Sequence, residues 1–151
     1  FFCFSAVLTP TVTTMSREWI TQVQQDASFQ SVRWDREVTV PVTTLDSLIE
    51  LHGEPRFCKI DVEGFELAVL QGLSRPLAAL SFEYIPASID IALACIDRLE
   101  ELGHYEYNLA PGETHRLQSE RWLTPGEMTL KLEATREGSG DVYARRLGSF
   151  S

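Results

Sequence analysis

No stretch of the 151 residues approaches the run of about 18 to 20 apolar side chains that a helix needs to cross a bilayer. The apolar opening Phe1-Phe2-Cys3-Phe4 has neither a basic flank nor a small-residue cleavage pattern behind it, so it does not read as a secretory signal. Basic side chains are scarce too. Thirteen Lys and Arg stand against twenty-two Asp and Glu, a formal charge of −9, which is the wrong sign for holding phosphates or an anionic lipid surface. Nucleic acid and membrane are therefore not expected partners. Cysteine is limited to Cys3, Cys58 and Cys95, odd in number and widely spaced, with no Cys-x-x-Cys pair and no clustered histidine. That pattern supports neither a disulfide framework nor a thiolate zinc site, and it fits a reducing, cytoplasmic setting. His52, His104 and His115 stand apart from any Ser, Cys or carboxylate at a recognised nucleophile spacing, so a hydrolase triad has no motif to rest on.

What is present is enough for one core: 44% of the residues are hydrophobic and 23% charged. Internal repeats are missing, and the turn-rich stretches 110–113 and 137–140 are too short to be interdomain linkers, which leaves one domain or part of one. Residues 2–8 read as a strand ended by Thr9-Pro10. A short helix is expected over 15–25, with Ser16 as cap and Trp19, Ile20 and Val23 on one side. Residues 26–37 are ambiguous. The alternation of Val38, Val40 and Val42 is that of a half-buried strand, restricted by Pro41 to an edge or a sheet end.

From there the pattern alternates. Thr43 or Thr44 caps a helix with Asp46 in its first turn, ending near His52-Gly53, and residues 57–62 form a short apolar strand. A second helix follows directly, with Glu63 and Glu66 in its first turns and Val69, Leu70 and Leu73 inward; residues 78–84 form the next strand. Pro86 opens a helix whose face is Ile89, Leu93, Ile96 and Leu99, and strands over 105–109 and 141–146 flank a helix begun by Thr124-Pro125-Gly126-Glu127. Strand and helix alternating through short connections predict an α/β fold with a mostly parallel sheet and flanking helices.

In such sheets ligands bind outside the carboxyl ends of the strands. The strand through Ile60 ends in Asp61-Val62-Glu63-Gly64 and the strand through Phe82 in Glu83-Tyr84, so carboxylates are expected together at one edge. A carboxylate at the end of an apolar strand is costly unless paired, solvated or used. One resolution is structural: Asp61 caps the following helix, Glu63 and Glu66 complement its dipole, and Lys59 pairs with Glu83. Another is catalytic. Magnesium on Asp61, Glu63 and Glu83 is chemically conceivable, but one sequence gives that reading no geometric support.

The run Val42-Thr43-Thr44-Leu45-Asp46-Ser47-Leu48, followed by Lys59-Ile60-Asp61-Val62-Glu63-Gly64-Phe65-Glu66-Leu67-Ala68-Val69-Leu70-Gln71-Gly72, closely resembles the FkbM family of S-adenosylmethionine-dependent methyltransferases. Ser81-Phe82-Glu83-Tyr84, Leu99-Glu100-Glu101-Leu102-Gly103 and Gly140-Asp141-Val142-Tyr143-Ala144-Arg145 continue the resemblance over most of the chain. It implies a Rossmann-like methyltransferase fold, S-adenosylmethionine as cofactor, and methyl transfer to a small-molecule hydroxyl on a sugar, polyketide or other secondary metabolite. It also places Asp61, Glu63 and Glu83 at the transfer centre. One of the first two would orient or deprotonate the acceptor, and Glu83 would help hold its hydroxyl.

One departure matters. Family members carry a first strand leading into a glycine-rich Asp-x-Gly-Ala-Asn-x-Gly loop, and here the first glycine is Gly53. Residues 1–151 are therefore expected to form a single incomplete methyltransferase domain, lacking the N-terminal cofactor-binding strands, or else a catalytically inactive α/β binding module derived from the same family. An incomplete domain leaves an apolar strand edge at residues 1–8, so the isolated chain should be oligomeric or poorly soluble. Light scattering together with thermal melting checks this, and a stable monodisperse monomer would count against it.

Overall fold

The computed structural model describes residues 2–7, 14–25 and 29–149. The first strand, β1 (Phe2–Val7), pairs antiparallel with β2 (Trp34–Val40) in a two-stranded sheet, in register Phe2↔Val40. Leu8 lies outside the described residues. Between the strands, helix α1 (Arg17–Val23) is capped by the Ser16 hydroxyl, which accepts the Trp19 N–H at 3.0 Å. The valine alternation ends at Val40 rather than Val42, which is 48% exposed beyond the strand, and the ambiguous residues before Val38 prove to hold the strand's start at Trp34.

Helix α2 (Leu45–His52) has Thr44 as its cap, accepting the Ser47 N–H at 3.2 Å, and it stops at Gly53, where φ is +88°. Glycine takes that conformation without the clash a side chain would meet. Then come β3 (Cys58–Ile60), α3 (Glu66–Gln71), β4 (Ala79–Tyr84), a 3₁₀ turn at Pro86–Ser88, α4 (Ile89–Leu102), β5 (Tyr105–Pro111), α5 (Pro125–Ala134) and β6 (Gly140–Arg146). Strand β3 is three residues long, not six, and α3 begins at Glu66, which puts Glu63 in the preceding turn. Among the described residues no helix is long and apolar enough to cross a membrane.

The main sheet has the order β3-β4-β6-β5. Strand β3 pairs parallel with β4, whereas β6 runs antiparallel to both β4 and β5, so the sheet is mixed rather than mostly parallel. The reason is an extra traverse. After β5 the chain doubles back along it: the Gln118 N–H bonds the Leu109 carbonyl at 2.8 Å, and Leu123 bridges Tyr107. Buried Asn108 fixes this return, donating to the Ser119 carbonyl at 2.8 Å and accepting the Ser119 N–H at 3.1 Å. Helix α5 then starts beside His104 and Tyr105 and ends near Pro86 at the opposite edge, so β6 must descend.

The core fills the space between one sheet face and helices α3, α4 and α5, with Leu80, Phe82, Tyr107 and Val142 facing Leu70, Ile96, Leu99 and Met128. A second cluster gathers Trp19, Val23 and Ile85, with Phe29 and Trp34 edge-on to the Trp19 ring at 5.6 and 6.2 Å. Helix α5 has the expected capping box: the Thr124 hydroxyl accepts the Glu127 N–H, and the Glu127 carboxylate accepts the Thr124 N–H at 2.9 Å. Replacing Thr124 by Ala should cost about 1 kcal/mol of stability, read from the urea midpoint.

Candidate active site

Parallel pairing of β3 and β4 brings their carboxyl ends to the same edge. One residue beyond the Ile60↔Phe82 pair stand Asp61, just past the end of β3, and Glu83 on β4, and Asp141, the second residue of β6, lies opposite Glu83. Glu63 arrives from the turn after β3. The structure thus brings all three expected site residues together: Asp61, Glu63 and Glu83 each offer a carboxylate oxygen within 4.8 Å of the others.

Of the structural reading of these acids, only the placement of Glu66 in the first turn of α3 is adopted. Lys59 does not pair with Glu83; its Nζ lies 3.4 Å from Asp61 Oδ2 and 3.4 Å from Asp141 Oδ2. Nor does Asp61 cap α3, whose N-cap is Phe65 with no side-chain hydrogen bond. The turn ahead of α3 is instead held by Glu66, 3% exposed, whose Oε1 accepts the Val62 and Gly64 N–H groups, each at 3.2 Å. Among the described residues, no cation comes within ion-pair distance of Glu63 or Glu83.

The electrostatic result follows from burial and like charge. Burial raises the Glu83 carboxyl to about 8, helped by Glu63, Asp61, Glu66 and Asp141, and burial with Asp61 and Glu66 raises Glu63 to about 7. Two such carboxyls this close share a proton at neutral pH and titrate as a pair. Beside Glu83 and Asp61, with Lys59, Gly112, Ser139, Gly140 and Asp141 but not Glu63 completing its lining, opens a cleft of about 120 Å³. That is room for roughly four waters or one small polar group. Four larger cavities, of about 370, 360, 310 and 250 Å³, are lined by none of the three carboxylates, so chemistry rather than size marks the site.

Chemically, the cluster can accept a proton from a hydroxyl, hold the resulting charge pattern with Lys59 at its flank, and orient a small polar group in the cleft. Three oxygens at this spacing also meet the distance requirement of a shared cation, although a hard divalent ion takes about six or more donors. Sequence reasoning missed Asp141 and Glu66 as parts of this edge. The signal for Asp141 was the register of β6, which depends on the extra traverse. For Glu66 it was burial, since an acidic residue in a first helical turn ordinarily faces solvent.

The sign of the pH dependence follows. A carboxyl raised above its unfolded value binds its proton more tightly when folded, so its contribution favours folding at low pH and is lost as pH rises from about 4.5 through about 8. Glu83→Gln should therefore raise the melting temperature at pH 8 and leave it nearly unchanged at pH 4.5. Melting curves at the two pH values decide this, and equal shifts at both would show that Glu83 is not a raised acid.

Residues 9–119 match the methyltransferase FkbM domain. No curated protein and no solved structure gives a significant match to the chain. The matched span runs from ahead of α1 through the whole acidic edge formed by Asp61, Glu63 and Glu83, and the mixed sheet with its flanking helices is consistent with a Rossmann-like methyltransferase fold. With well over half of its length inside that match, the chain belongs to the FkbM methyltransferase family.

Proposed function

We propose that the edge carrying Asp61, Glu63 and Glu83 is the acceptor side of an O-methyltransferase site, with S-adenosylmethionine as the methyl source and a small-molecule hydroxyl, on a sugar, polyketide or other secondary metabolite, as the acceptor. The observation that carries this reading is the convergence of the three carboxylates within 4.8 Å while Glu63 and Glu83 have no cationic partner among the described residues.

The described residues do not by themselves fit the cofactor. Gly53 is the first glycine of the sequence, and the glycine in the turn after β3, Gly64, has its open side filled, because a Cβ there would overlap the Trp19 ring. The chain's own contribution is to the acceptor. A hydroxyl in the cleft donates its hydrogen bond to the carboxylate cluster, which aligns the oxygen and takes the proton as the oxygen becomes nucleophilic. An acid titrating near 7 to 8 suits that task, because it is available as a base near neutrality and binds a proton strongly enough to remove it. Lys59, 3.4 Å from Asp61 Oδ2, flanks the cluster and offsets part of its charge on the solvent side.

The test is transfer of label from methyl-tritiated S-adenosylmethionine to a panel of hydroxyl acceptors. Asp61→Asn or Glu63→Gln should lower turnover by about 10²- to 10⁴-fold with the melting temperature preserved, and unchanged turnover in both would sink the assignment. Absence of transfer to every acceptor by the wild-type chain would instead favour an inactive binding module descended from the same family.

A further inference from the structure

The turn that carries Glu63 is held in an unusual shape. Glu63 is left-handed at φ +51° and Gly64 follows at +90°. A left-handed glutamate persists only where its surroundings enforce it. Three contacts do so. Glu66 Oε1 gathers the Val62 and Gly64 N–H groups, one on each side of Glu63, at 3.2 Å each. The Glu63 carbonyl accepts from the hydroxyl of Thr14, which is 1% exposed and whose oxygen is itself held by the Ser16 N–H at 3.0 Å. Behind Gly64 the Trp19 ring occupies the space a side chain would need.

We propose that Glu66 is a positioning residue: by gathering the backbone amides on both sides of Glu63, with Thr14 on the intervening carbonyl, it fixes the Glu63 carboxylate against Asp61 and Glu83. Its own carboxylate is turned to the backbone, so it acts through Glu63 and not on the acceptor. The functional meaning of this clamp rests on the acceptor-site reading, whereas its geometry stands without it. A residue placed only to complement the helix dipole would not be 3% exposed and would not reach back across the turn to two amides. The charged and titratable groups around Glu66 are Asp61, Glu63 and Glu83 at the sheet edge, with Lys59 and Asp141 beyond them, and the Cys95 thiol of α4, which burial and then the Glu66 charge push up.

The clamp is tested by carboxyl-carbon NMR titration of Glu63 and Glu83 in chelator-treated buffer, with neither acceptor nor methyl donor present. Failure of the functional reading therefore leaves this measurement untouched. In the wild-type chain the two midpoints are expected near 7 and 8. Glu66→Gln keeps an oxygen that can accept both amides and removes only the charge that helps raise Glu63 and Glu83, so both midpoints should fall by no more than about half a unit, whereas Glu66→Ala, which also releases the turn, should lower both by about one unit or more. Thr14→Val, which keeps the side-chain shape and loses the hydroxyl, should move Glu63 in the same direction as Glu66→Ala, and it carries the test if the alanine variant does not fold. Unmoved midpoints in the alanine and valine variants overturn the proposal. So does a Glu66→Gln shift as large as that of Glu66→Ala, which would assign the effect to charge and not to position.

Discussion

The parallel pairing of β3 with β4 is the constraint from which the acidic edge follows. Strands joined by a right-handed crossover end on the same side, and the register Ile60↔Phe82 then sets Asp61 beside Glu83. Antiparallel β6 brings its first residues to the same edge from the other direction, which adds Asp141 and the Ser139-Gly140 wall of the cleft. Lys59, on the sheet face shared with Ser81 and Tyr143, satisfies Asp61 and Asp141 together. One cation divided between those two leaves Glu63 and Glu83 to be settled otherwise.

Much of this was legible in the sequence, for identifiable reasons. The caps at Ser16, Thr44 and Thr124 are local chemistry, read from a hydroxyl followed by an amide two or three residues on, and each forms as expected. The apolar spacing of Ile96 and Leu99 on α4 is likewise local, and both residues are buried. The convergence of Asp61 and Glu83 was legible because it needs only one parallel crossover, from β3 through α3 to β4. What could not be read was the direction of β6. The return of residues 116–123 has no strand pattern, and it is held by the side chain of buried Asn108 with backbone bonds at Gln118 and Leu123 alone, so nothing in the order of apolar runs counts that traverse. The Lys59 pairing was misread for the same reason, since its second partner sits on β6.

Three of the acidic groups at this edge, Glu63, Glu66 and Glu83, differ in how their burial is met. Glu66 is the most buried of them, and two backbone N–H groups that have no other described acceptor offset part of a burial cost that still raises its carboxyl. Glu63 and Glu83 are less buried but have no protein donor of that kind among the described residues. For a crowded carboxyl pair without a cation or an amide, the cheapest partner is a proton, and burial raises both groups toward keeping one. A proton is also the one partner an incoming hydroxyl can replace with its own. Backbone amides thus hold Glu66 in place, whereas Glu63 and Glu83 are left with a partner that can be exchanged, and it is that exchange which the proposed acceptor site would use.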